Sequence, residues 1–172
     1  LISFKSISLK ENVSIIDYIS SHFKLLGVKP QIIKGEKDRV NLYARIGPDN
    51  LDGIMFSGHT DVVPVEGQNW NSNPFSLKKV GTKLYGRGTT DMKGFIAVTL
   101  SLLPKIQNSS LKKPIHFMFS YDEEIGCIGI QKAIPFLKNL KIKPTKCIVG
   151  EPTRMQVINK HKGKKNFLIT FN

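Results

Sequence analysis

Apolar residues recur at three- and four-residue steps in some stretches of the chain and form short unbroken runs in others. The first kind of spacing predicts amphipathic helices and the second predicts buried strands. Over residues 12–27, Val13, Ile16, Ile19, Phe23 and Leu26 fall on one helical face, and Gly27 fits a C-terminal stop. "DMKGFIAVTLSLLPKI" (91–106) predicts a second helix, with Thr90 as its N-cap and an acidic first turn. "GIQKAIPFLKNL" (129–140) predicts a third, kinked or shortened by Pro135. Strands are expected at "QII" (31–33), "VNLYARI" (40–46), "GIMFSGH" (53–59), "PIHFMFS" (114–120) and "KCIVG" (146–150). Shorter ones are expected at "SLKKV", "KLYG", "QVIN" and "KNFLITF". Strands alternating with helices of this length predict an α/β layered domain.

Composition narrows the class. A chain of 172 residues with 40% hydrophobic and 23% charged content is globular rather than disordered. No apolar run approaches the roughly 20 residues that span a bilayer, so no membrane association is expected. Cys127 and Cys147 lie outside any CxxC pair or zinc-finger spacing, and read as two reduced thiols of a cytoplasmic protein. The net charge of +13 raises a nucleic-acid partner and the details exclude it. Only Arg39, Arg45, Arg87 and Arg154 are arginines, the lysines are spread along the chain, and "KHKGKK" (160–165) lacks interleaved aromatics.

The acidic residues are placed differently. Six of the 13 gather at loops or strand ends: Asp61 beside His59, Asp91, the run Asp122-Glu123-Glu124, and Glu151. His59 and Asp61, two apart in an extended segment, share a face. Ligands of open α/β sheets bind beyond the carboxyl ends of the strands. Carboxylates converging there repel one another, and a cation is the usual remedy. One imidazole among carboxylates suits zinc or a similar divalent ion, and a free carboxylate nearby suits metal-assisted hydrolysis. Read singly, an HxD pair or a DEE run fits a polar strand end or an acidic surface turn equally well.

Taken together, "SGHTDVVP", "WNSNPF", "LYGRGTTDMKGFIA", "SYDEEIGCIG" and "IVGEPT" resemble the co-catalytic zinc hydrolases. That family contains acetylornithine deacetylase, succinyl-diaminopimelate desuccinylase and glutamate-type carboxypeptidases. "DMKGFIAV", "SYDEEIGCIG" and "HKGKK" are most similar to its deacetylase branch. The resemblance implies a three-layer α/β/α zinc-peptidase-like catalytic domain with a mixed central sheet, ending before the family's lid domain. Residues 1–164 would form the N-terminal part of the catalytic domain and 165–172 the start of the lid.

The implied roles are these. His59 and Glu151 ligate a first metal, Glu124 a second, and Asp91 bridges both. Asp61 orients His59, and Glu123 is the general base. A cis peptide is expected at Asp91–Met92. Two divalent ions are implied, zinc foremost and cobalt as an alternative. The second site is incomplete, because the family's further histidine lies beyond this sequence and His161 is no substitute. The implied substrate is an N-acyl amino acid, foremost N2-acetyl-L-ornithine, with a desuccinylase, a related N-acyl amino acid hydrolase or carboxypeptidase, or an inactive fragment of such an enzyme as the alternatives, and the implied full-length form is a homodimer. His22 and His116 read as structural, Trp70 and Pro74 as the site wall, and Arg87 as a brace for the loop before Asp91.

Overall fold

A computed structural model describes residues 1–172 apart from Asn50, His161, residues 164–166 and Asn172. Its elements run α1 (Val13–Lys24), β1 (Gln31–Lys34), β2 (Val40–Ile46), β3 (Gly53–His59), β4 (Lys78–Val80), β5 (Lys83–Tyr85), α2 (Lys93–Gln107), β6 (Ile115–Ser120), α3 (Ile128–Lys138) and β7 (Pro144–Val149). The main sheet has the order β1-β2-β6-β3-β7, and β4 and β5 form a separate hairpin. The β1–β2 and β2–β6 pairs are antiparallel, whereas β3 runs parallel to both β6 and β7. The sheet is therefore mixed, as expected.

The period-2 geometry of β2 builds the layers. Leu42, Ala44 and Ile46 point to one face, where they meet Ile15, Ile16, Ile19 and Phe23 of α1 and Ile96, Leu100 and Leu103 of α2. Tyr43, on the opposite face, joins Met55, Met118 and Ala133 under α3. The result is a three-layer α/β/α arrangement. Phe117 anchors the larger core, with its ring 5.1 Å from that of Phe23 and 6.0 Å from that of Phe56. Burying each such side chain contributes about 1.5–3 kcal/mol. His116, fully buried in β6, bonds to the Tyr43 hydroxyl through Nδ1 at 2.7 Å, a structural role.

The helix ends follow local chemistry. After α1, the Gly27 amide donates to the Lys24 carbonyl and the Val28 amide to the Phe23 carbonyl, with Gly27 at φ +74°. This is a left-handed cap of the kind glycine adopts most readily. Pro135 is accommodated within α3.

Three expectations are corrected. Helix α2 begins at Lys93 with Met92 as its cap, so Asp91 precedes the helix and Thr90 caps nothing. The Asp91–Met92 peptide beside it is cis, as expected. "QVIN" (156–159) is not a strand, and neither is the described part of "KNFLITF", residues 167–171. These segments have the apolar content of strands, but the described residues pair with no ladder there. His161 and the expected domain boundary near residue 164 lie outside the described residues. Among the described residues, no helix is long and apolar enough to cross a membrane.

Candidate metal centre

Three neighbouring parallel strands deliver the polar residues to one edge of the sheet. β3 ends at His59, β6 leads into Asp122-Glu123-Glu124, and β7 leads into Glu151. Register aligns them: His59 pairs with Ser120, and Ser57 pairs with Val149, so His59 and Glu151 leave the sheet at the same level. Asp91 arrives from the loop before α2. Close packing helps place Glu151, because Gly150 lies directly against the Phe95 ring where a Cβ has no room.

His59 is the hub. Its Nε2 lies 3.0 Å from Asp91 Oδ1, 3.7 Å from Glu123 Oε2 and 3.8 Å from Glu151 Oε1. Its Nδ1 is 2.9 Å from the Asp61 carbonyl and 3.3 Å from Asp61 Oδ1. The imidazole is buried, while Asp91, Glu123, Glu124 and Glu151 are half-buried, with a route to solvent. Ligand atoms of His59, Glu123 and Glu151 lie within 4.8 Å of one another, and so do those of His59, Asp91 and Glu124. Both groups draw on the same histidine. The first contains Glu123, so the grouping alone does not separate a base from the ligands.

Asp61 faces away from the other acids and organises the backbone. Its Oδ2 accepts the Ser8 hydroxyl at 2.8 Å and the Glu124 amide at 3.3 Å, and its Oδ1 accepts the Glu123 amide at 3.0 Å. Ser6 and Ser8 reach this end of β3 through a short parallel bridge between Ile7 and Val62. Ser6 donates to the Thr60 carbonyl at 2.6 Å. The serines of "SIS" thus belong to the site's frame, although they carry no spacing signal of their own.

Electrostatics fit a cation. Burial raises the Glu124 carboxyl, and the Asp91 charge raises it further, to about 7. Burial also raises Glu151; the imidazole charge partly offsets this, and the Asp91 and Glu123 charges add to it. Burial alone would lower His59, but the Asp61 hydrogen bond and charge, with the Glu151 and Glu123 charges, lift it to about 9. Carboxylates crowded enough to hold protons near neutrality are those that a divalent ion relieves. An imidazole with several carboxylate oxygens is a donor set that such an ion accepts. The residues therefore fit a divalent metal.

A cavity of about 500 Å³ adjoins the cluster, lined by Trp70, Lys83, Tyr85, Arg87 and Asp91 among others. Arg87 stacks 5.1 Å from the Trp70 ring and donates to Gln68, which also accepts the Trp70 indole N–H at 3.2 Å. The geometry is that of a brace for the wall.

Comparison with known proteins decides the family. The model described as peptidase family M20/M25/M40 matches residues 55–162, most of the chain and all of its strand-end acids. The chain belongs to peptidase family M20/M25/M40. Among curated M20 relatives, it is 37% identical over 171 residues to the acetylornithine deacetylase of Shigella sonnei and 36% identical over 169 residues to that of Aliivibrio fischeri. Each match covers 95% of this chain and 44% of the relative, so the chain spans less than half the length of these enzymes. Among solved M20 structures, the metallo-carboxypeptidase Sso-CP2 of Sulfolobus solfataricus matches with a TM-score of 0.70 at 27% identity, covering 87% of this chain and 35% of that one. Human carnosine dipeptidase 1, at 21% identity, shares the fold with a TM-score of 0.72, over 86% of this chain and 36% of that one.

Proposed function

We propose that this chain carries the principal acids of a metal-dependent amide hydrolase that removes the acetyl group from N2-acetyl-L-ornithine, releasing L-ornithine and acetate for arginine synthesis. The convergence of Asp91, Glu123 and Glu151 on His59 Nε2 carries the hydrolytic reading. The named deacetylase relatives support the substrate. His59, Asp91 and Glu151 would hold one ion, and Asp91 with Glu124 would hold part of a second. Zinc is favoured by the donor set, with cobalt as an alternative. Such an ion, when bound, acidifies water and polarises the acyl carbonyl.

The chain's own residues do the rest. Glu123 takes the proton from the attacking water and returns it to the leaving amine. Asp61 holds His59 by Nδ1, leaving Nε2 as the ligating atom. Residues 1–164 would be catalytic-domain sequence and 165–172 the start of a lid. The full-length protein would be a cytoplasmic homodimer.

The test is amine release by the metal-loaded, full-length protein from N2-acetyl-L-ornithine, N-succinyl-diaminopimelate and acyl dipeptides. We expect acetylornithine to be turned over fastest and a chelator to abolish release. Preference for the succinyl compound or for peptides would replace the deacetylase reading with a desuccinylase or carboxypeptidase. No release from any of them would sink the hydrolase reading.

A further inference from the structure

Behind the acids that face His59 lies an ion pair that faces away from them. Arg39 Nη1 donates to Asp122 Oδ2, and the two side chains are only 6% and 1% exposed. Asp122 is the residue immediately before Glu123 and Glu124. Its Oδ1 accepts the Leu9 amide at 2.8 Å, and its carbonyl accepts the Ile128 amide at 3.0 Å, at the head of α3. Its backbone is left-handed, at φ +50°, where a non-glycine residue stays only if its surroundings hold it.

Arg39 is held as firmly. Its guanidinium stacks 5.4 Å from the Tyr121 ring, and its Nε donates to the Glu36 carbonyl at 3.2 Å. Its Nη2 lies 3.6 Å from the Glu36 carboxylate, which Lys132 of α3 also engages at 2.9 Å. The fork of donors is used in three directions, which a lysine ammonium cannot reproduce.

We propose that the Arg39–Asp122 pair is a positioning device for the two metal-facing glutamates. Asp122 is pinned from one side by Arg39 and Leu9. The next two amides are pinned from the other side by Asp61. The turn between β6 and α3 is thereby clamped at three consecutive residues, and the directions of Glu123 and Glu124 follow from the clamp. Arg39 also compensates the Asp122 charge locally, so that Asp122 does not add to the carboxylates crowding His59. For its catalytic consequence this role rests on the reading of Glu123 and Glu124 given above. The clamp itself does not.

The test is hydrogen exchange at the Glu123 and Glu124 amides in Arg39→Met and Arg39→Lys, referenced to the Leu42 and Phe119 amides of the core, together with kcat and KM of the full-length enzyme. In Arg39→Met the two glutamate amides should exchange at least 10-fold faster relative to the core, and kcat should fall at least 10-fold with KM within threefold. Arg39→Lys should recover part of both. Should Arg39→Met not fold, the Arg39→Met/Asp122→Asn double variant leaves no unpaired buried charge and is expected to show the same loss. Unchanged glutamate exchange with kcat within twofold of wild type, in whichever of these variants folds, overturns the proposal. A wild-type protein that takes up no divalent ion and cleaves no N-acyl amino acid defeats the hydrolase reading instead, and the exchange comparison still decides the clamp.

Discussion

The Glu123 amide donates to Asp61 Oδ1 at 3.0 Å, which ties the loop after β6 to the end of β3 through backbone rather than through the glutamate side chain. The backbone of Glu123 is thus fixed independently of its carboxylate, whose Oε1 accepts the Cys127 thiol at 3.4 Å. Glu123→Gln keeps the amide bond and the side-chain volume but cannot take a proton. Turnover should fall by about 10²–10⁴-fold, the usual worth of a general base, while metal content measured by elemental analysis stays at the wild-type value. Loss of metal in this variant would make Glu123 a ligand.

Asp61→Asn replaces one acceptor oxygen with a donor, opposite two backbone amides and the Ser8 hydroxyl. It also removes the charge beside His59 Nδ1. Metal affinity by competition titration should weaken by about 10–100-fold. Ser8→Ala removes one donor and should cost about 1 kcal/mol of stability, with a smaller loss of metal affinity. Equal affinity in wild type and Asp61→Asn would show that the carboxylate does not orient the ring.

Both candidate ligand groups use His59, and its Nδ1 is engaged by Asp61, so Nε2 serves one ion at a time. Zinc titration of this chain, followed calorimetrically, should therefore saturate tightly at one ion rather than two. Two equally tight ions would require ligands outside the described residues.

Gly150→Ala places a methyl group into the Phe95 ring just before Glu151. Overpacking of this kind costs about 1–3 kcal/mol. Because the strain falls next to a candidate ligand, metal affinity should drop along with the melting temperature. Phe95→Leu on the same background should recover part of both. A variant that melts lower but binds metal normally would remove Gly150 from the site's frame.

His116 is held neutral, at about 4 against an ordinary 6.5, by burial and by the Arg45 charge. Between those values the unfolded chain binds a proton that the folded chain refuses. The stability His116 contributes is therefore complete above pH 6.5 and falls as pH drops toward 4, by up to about 1.4 kcal/mol per unit. Thermal melts across this window should show a steeper acid loss in wild type than in His116→Gln. Parallel curves would mean that the imidazole takes up its proton as readily in the fold as in the unfolded chain.

Periodicity was enough to find the layers, because Leu42, Ala44 and Ile46 alternate with Tyr43, and Ile96, Leu100 and Leu103 step at helical spacing. The start of α2 is not legible locally, because Thr90 and Asp91 look like a cap and an acidic first turn, whereas both lie in the loop that delivers Asp91 to the cluster. The strand-end acids were visible as a concentration of charge against a lysine-rich background. Their supports were not. Ser8 meets Asp61 across 53 residues and Arg39 meets Asp122 across 83. Arg39 closes the charged segment "GEKDR", which reads locally as a solvated turn. A buried polar partner leaves no periodic trace when the fold alone brings it into contact.

The parallel pairing of β3 with β6 and β7 also acts as a gauge. Adjacent strands sit about 4.8 Å apart whatever side chains they carry, because that distance belongs to the peptide group. The width of the gap between His59, the Glu123 turn and Glu151 is thus inherited from backbone. Substitutions within the strands can loosen the packing beneath without altering the gauge. A one-residue slip of β7 against β3 would shift Glu151 by about 3.3 Å and turn it to the opposite face, dismantling the centre while every one of its residues remained in the chain.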